Sequence, residues 1–191
     1  MEDLSFSPTC ISYAHDYLAV GGQRSQIMIK SVTTNYVAQS TVGGSINNAI
    51  AMTKQPNGIV KMFICNNDES IKVFTLPELN RVATLQLPTA ANYCSISPDG
   101  RKLVAVGDSN QVFLYDIYND AYSKIATMTT VADAGFSCAW NQSSEKFAVS
   151  TQDGYVCVWD VRSTEKLTKL QSVQVCLTIL IIYSLICRAD K

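Results

Sequence analysis

The chain has 191 residues, 47% of them apolar, and fifteen basic against sixteen acidic residues leave a net charge of −1. That is enough apolar material for a sizeable core. The charges are scattered, with Arg101-Lys102 the densest basic pair, so no basic stripe follows a phosphate backbone and direct nucleic-acid binding is not expected.

In chain order, Met1-Glu-Asp-Leu-Ser5 lacks the basic region and apolar run of a signal peptide. A first unit over 9–42 contains the loop-like stretch Tyr13-Ala-His-Asp16, the doublet Gly21-Gly22, a turn at Gln23 to Gln26 and the apolar run Ile27-Met-Ile-Lys30. After Gly43-Gly44, where positive φ accounts for the glycines without a ligand, a second unit covers 46–87. It carries Pro56-Asn57-Gly58, a turn at Asn66 to Ser70 and the run Ile71-Lys-Val-Phe74. The third unit, 92–128, opens with Cys94-Ser-Ile-Ser-Pro-Asp-Gly100, turns at Asp108 to Gln111 and ends a strand at Tyr115-Asp116. The fourth, 135–170, reads as four strands near 135 to 140, 146 to 151, 155 to 160 and 166 to 170. Asn141-Gln-Ser-Ser144, Gln152-Asp-Gly154 and Arg162-Ser-Thr164 break them.

These units are one motif repeated. Ile27, Ile71, Val112 and Val156 recur at steps of 44, 41 and 44 residues, and Cys94, Leu103 and Asp116 return 44 residues later as Cys138, Phe147 and Asp160. A period near that length, with several short apolar runs per unit and endings such as Tyr115-Asp116 and Trp159-Asp160, marks a β-propeller blade. Val156-Cys-Val-Trp159 is apolar at consecutive positions, which requires cover on both faces of its strand, and neighbouring blades supply it. The expected fold is all-β, a propeller of about four blades over 1–170, followed by an apolar tail over 171–191.

Thr151-Gln-Asp-Gly-Tyr-Val-Cys-Val-Trp-Asp160 resembles the end of a WD40 repeat, and Asn66-Asn-Asp-Glu-Ser-Ile-Lys-Val-Phe74 is a looser match. The resemblance implies that the turn aspartates, Asp153 and Asp68, order the backbone between the second and third strands. It also implies that the turns there and the loops between blades form the face that holds partners. The chain departs from the family in lacking the Gly-His pair, since its one histidine is His15, so the usual buried His-to-Asp network cannot form. Gly135-Phe-Ser-Cys-Ala-Trp140, Lys146-Phe-Ala-Val-Ser150 and Val158-Trp-Asp-Val-Arg162 are also similar to a group of fungal WD-repeat proteins that carry, further on, a short domain of unknown function.

From Leu170 to Cys187 eighteen residues pass without a charge. Three readings stay open: a membrane anchor, though shorter than the span of about 20 apolar residues; a strand or helix capping the last blade; or translated intron in a truncated product, since Val175-Cys176 can be encoded by GTATGT. Propellers use about four to eight blades and those of the WD type usually close at seven, so four blades are expected to form a partial ring. Its uncovered faces and edges would favour self-association.

No residue stands out as catalytic, and no cofactor or metal is expected. Seven cysteines without a Cys-x-x-Cys pair read as small core residues in a reducing compartment, cytoplasm or nucleus, and one histidine makes a zinc site improbable. His15 beside Asp16 reads as an exposed loop histidine, and Trp140 and Trp159 as core aromatics. The residues expected to meet a partner are those of the rim turns: Gln23, Arg24, Asn67, Glu69, Asp108, Asn110, Gln152 and Tyr155. The expected role is a non-catalytic scaffold for other proteins. The alternatives are a membrane-tethered adaptor held by the tail and a truncated product without independent function.

Overall fold

The computed structural model describes residues 4–130, 133–164 and 166–171. The chain forms two compact units, Met1–Ala91 and Asn92–Lys191.

In the first unit, β1 (Pro8–Ala14), β2 (Tyr17–Gly22), β3 (Gln26–Ser31) and β4 (Val37–Thr41) make sheet one, and β5 (Asn47–Lys54), β6 (Val60–Asn66), β7 (Ser70–Leu76) and β8 (Asn80–Gln86) make sheet two. Each is an antiparallel meander in chain order. The turn chemistry fixes the registers. His15 and Asp16 both take positive φ, the arrangement of a two-residue hairpin whose twist matches that of its strands. At Pro56-Asn57-Gly58 the glycine accepts φ +86° and its N–H donates to the Gln55 carbonyl at 2.9 Å.

The second unit repeats the plan. Sheet three contains β9 (Ala91–Ile96), β10 (Lys102–Gly107), β11 (Ser109–Tyr118) and β12 (Ala121–Thr129); sheet four contains β13 (Gly135–Trp140), β14 (Lys146–Thr151), β15 (Tyr155–Asp160) and β16 (Lys166–Gln171). Gly100 closes its turn as Gly58 does, and in sheet four Ser144 takes that left-handed position, its N–H reaching the Asn141 carbonyl at 3.2 Å.

Burial follows the two-faced pattern read from the sequence. Ala19, Ile27 and Ile29 of sheet one meet Ile50, Met62, Ile64 and Phe74 of sheet two. In the second unit Val104, Val106, Val112 and Leu114 of sheet three meet Cys138, Phe147, Val149, Cys157 and Trp159 of sheet four. Along β15, Cys157 and Trp159 therefore enter one layer, while Val156 and Val158 lie with Ala148 and Ala139 on the other face. Phe147 stacks on Trp159 with centroids 5.4 Å apart, and the Trp140 ring lies 5.2 Å from Phe147. The Trp140 Nε1–H donates to the Ser95 carbonyl at 3.0 Å, so the indole brings its polar edge into the layer without leaving it unpaired. Cys65, Cys94, Cys138 and Cys157 are buried inside the cores.

Three of the sheets bend their first strand in the same place. The register skips between Pro8 and Cys10, between Asn47 and Ala49, and between Gly135 and Ser137. A bulge of this kind re-aims the extra residue. The residues so placed are Thr9, Asn48 and Phe136.

Candidate interaction turns

Each turn expected to meet a partner joins the second and third strands of its sheet, and its backbone is tied to neighbouring segments by hydrogen bonds. In the first unit Gln23 and Arg24 are exposed on a 3-10 turn, Gln23–Ser25. The Gln23 N–H donates to the Ser7 carbonyl, and the buried Ser25 carbonyl receives the Val42 N–H. Asn67 and Glu69 are exposed on the turn between β6 and β7. The Asn67 N–H donates to the Ile46 carbonyl, and the Glu69 carbonyl accepts from the Leu87 N–H and the Gln86 side chain.

Two buried asparagines join these turns. The Asn47 amide donates to the Gln26 carbonyl at 2.8 Å, and Asn66 Nδ2 donates to Asn47 Oδ1 at 2.9 Å. Asn66 Oδ1 then accepts the backbone N–H groups of Ser45 and Asp68, at 2.9 and 3.0 Å. Beyond it, Asp68 takes the Ser70 hydroxyl at 2.5 Å and the Lys72 ammonium at 2.6 Å. Burial raises the Asp68 carboxyl, but the hydrogen bonds from Lys72 and Ser70 outweigh it and hold the group below the usual carboxylate range. This chain of amides and one carboxylate ties the two turns of the first unit together without a histidine.

In the second unit Asp108 lies exposed at the β10–β11 turn, and the Asn110 carbonyl accepts the Thr130 N–H and hydroxyl. Gln152 is exposed between β14 and β15, with its N–H on the Ala134 carbonyl. Tyr155 is half-buried at the start of β15, its N–H on the Thr151 hydroxyl and its ring 4.0 Å from the Lys169 ammonium. Asn92 Nδ2 donates both to Asp108 Oδ1 at 2.8 Å and to the Gly135 carbonyl at 3.1 Å, which brings the Asp108 turn close to the strand that supports Gln152.

The expected role of the turn aspartates is met only indirectly. Asp153 accepts the hydroxyl of Thr151, and it is that threonine oxygen that takes the Tyr155 N–H. In sheet two Asn66 stands at the position of Thr151; its oxygen takes the Asp68 N–H, and Asp68 itself accepts the Ser70 hydroxyl.

Charges are distributed unevenly in this unit. Asp116 pairs with Lys102 at 2.5 Å, and Arg162 pairs with Asp160 at 2.6 Å and Glu145 at 3.4 Å. Among the described residues, Asp108, Asp133 and Asp153 have no ion pair, and each bonds only uncharged groups.

Sequence reasoning missed a cavity of about 360 Å³ in the first unit, away from these turns. His15, Asp16, Tyr17, Tyr36 and Lys54 line it, together with hydroxyls of the β3–β4 loop. Burial, then the charges of Glu78 and Asp16, push the Tyr17 hydroxyl up from its ordinary value. His15 is on an exposed turn, as expected. The Ser31 hydroxyl in this cavity is shared with Thr33 and accepts the Thr34 N–H.

Four-stranded meander sheets, packed face to face within each unit and repeated at a period near 44 residues, define a WD40-type β-propeller. Residues 130–160 match the WD domain, G-beta repeat family. The chain is also similar to an uncharacterized protein of Schizosaccharomyces pombe, 32% identical over 175 residues, in keeping with the resemblance to fungal WD-repeat proteins. The match covers 90% of this chain and 50% of the relative, so the chain spans about half the length of the curated protein that it matches.

Proposed function

We propose that the protein is a non-catalytic scaffold that holds a protein partner on the turns between the second and third strands of its sheets. One observation carries this reading: at these turns the backbone is pinned by hydrogen bonds while side chains of different character, Gln23, Arg24, Asn67, Glu69, Asp108 and Gln152, are left exposed. A rigid frame carrying non-repeating side chains suits recognition of an irregular protein surface. In the second unit the carboxylates of Asp108, Asp133 and Asp153 favour a partner surface that brings lysine or arginine. Asn110 and Tyr155 support the turns through their backbones and belong to the same proposed face. Residence in the cytoplasm or nucleus belongs to the same proposal, on the sequence pattern of seven cysteines without a Cys-x-x-Cys pair.

The membrane-tethered alternative rests on residues 170–187, which beyond Gln171 lie outside the described residues, as does the reading of the tail as intron or cap. Among the described residues no helix is long and apolar enough to cross a membrane.

The test is cross-linking and mass spectrometry of the tagged chain in native extract, compared with a variant carrying Arg24→Glu, Glu69→Lys and Asp108→Lys. A stoichiometric partner cross-linked to the turns, lost in this variant and kept by Lys54→Ala, is the expected result. A partner recovered equally by all three proteins overturns the assignment of the face.

A further inference from the structure

At the end of sheets one and two opposite the partner turns, the repeat has an exception. In the second unit the first hairpins of the two sheets are joined at this end, the Asp99 N–H donating to the Ser144 hydroxyl at 3.1 Å. The first hairpin of sheet one is too short to reach across: only His15 and Asp16 separate β1 from β2, where five residues, 97–101, separate β9 from β10. The cavity of about 360 Å³ is the space left beside the turn of Gly58. Its size lies within the range of small-ligand sites.

The walls have a defined order. Lys54, Val60 and Leu76 form one row across sheet two, and Pro77 and Glu78 follow at its β7 end. Facing this row, Tyr17 packs on the cluster that contains Val60 and Leu76. Asp16 precedes it in the hairpin, and the Tyr36 hydroxyl reaches over to the Pro77 carbonyl at 3.4 Å. The Ser31 hydroxyl is taken up by its own loop, on Thr33 and the Thr34 N–H. Among the described residues, the side chains of Asp16, Glu78 and Lys54 form no ion pair or hydrogen bond. Two carboxylates against one ammonium leave an excess of negative charge. The half-buried Tyr17 hydroxyl registers it: after burial, the charges of Glu78 and Asp16 push it up, and Lys54, at the far end of the row, does not offset them.

We infer that this cavity binds an organic cation on an aliphatic stem, an alkylguanidinium group, whether an arginine side chain or a free small molecule carries it. The head lies on the Tyr17 and Tyr36 rings within reach of Asp16 and Glu78, and the stem lies along Val60, Leu76 and Pro77. A planar guanidinium stacks on phenol faces and donates to carboxylates, so it uses both features of the wall. Lys54 sets the direction, because the head avoids that end of the row. An anion would meet one ammonium and two repelling carboxylates. The site is at the opposite end of the sheets from the partner turns and does not depend on what they bind.

Titration of the full chain, labelled with carbon-13 in its tyrosine rings, with butylguanidinium tests this. The Tyr17 and Tyr36 signals are expected to move together and saturate with a Kd of about 1 mM, the scale of so small a ligand. Asp16→Asn combined with Glu78→Gln should raise that Kd about five- to tenfold. These changes spare the fold, because asparagine accepts the positive φ of Asp16 and Glu78 is exposed. Lys54→Gln should keep or lower the Kd. Acetyl-arginine amide separates the sources: binding as tight as that of butylguanidinium assigns the site to an arginine of a partner protein, and binding of butylguanidinium alone assigns it to a free cation. Uncharged butanol binding as tightly, inorganic phosphate moving the same signals at a lower Kd, a site abolished by Lys54→Gln, a Kd unchanged in the carboxylate variant, or no saturable movement of Tyr17 overturns the inference.

Discussion

Asn66 does in sheet two what a hydroxyl and an aspartate share in sheet four. Its side chain is fully buried, accepts two backbone N–H groups and donates to Asn47 Oδ1. Truncating it leaves the buried Asn47 oxygen unpaired, which costs about 1–3 kcal/mol, and drops the bonds to the part-buried N–H groups of Ser45 and Asp68. Asn66→Ala is therefore expected to lower stability by about 2–3 kcal/mol, read as a shift of the urea midpoint at unchanged slope. Asp160 provides a residue-scale test in acid. Hydrogen bonds from the Arg162 guanidinium, then from the Arg162 backbone N–H, bring the Asp160 carboxyl from 3.8 to about 2. A depressed carboxylate stabilises the folded chain fully above its unfolded value, and that contribution is lost as the pH falls through the folded value. Arg162→Gln should move the carbon-13 titration midpoint of the Asp160 carboxyl up toward 3.8 and shrink the loss of stability between there and pH 2. A midpoint unchanged in the variant would show that the guanidinium is not the cause.

At the scale of the element, the strands of sheet four were legible because their apolar runs and turn residues agree. The strands read at 135 to 140, 146 to 151 and 155 to 160 have those bounds in the structure, and the last continues one residue further, to Gln171. Consecutive apolar residues in Val156-Cys-Val-Trp159 signalled two covered faces, and Cys157 and Trp159 do enter the layer against sheet three. The tethers were not legible. Asn48 and Asn92 stand 44 residues apart, yet asparagine next to a strand start reads equally well as a turn residue. Their role depends on carbonyls 43 residues away in the chain. Spacing alone could have flagged the pair; composition could not. Asn92→Ala removes the bonds to Asp108 and Gly135 and should cost about 1–2 kcal/mol. Phe136→Ala, at the corresponding place in sheet four, removes no side-chain hydrogen bond and should cost less. Equal losses would refute the distinction between tethered and untethered first strands.

At the scale of the molecule, fold class was readable because repetition carries its own confirmation, each unit testing the others. The exposed turn residues could be named for the same reason, since a position between the second and third strands follows from counting. What lay beyond counting was how Asn47 and Asn66 join the turns of the first two sheets, because that depends on atoms brought together from distant parts of the chain.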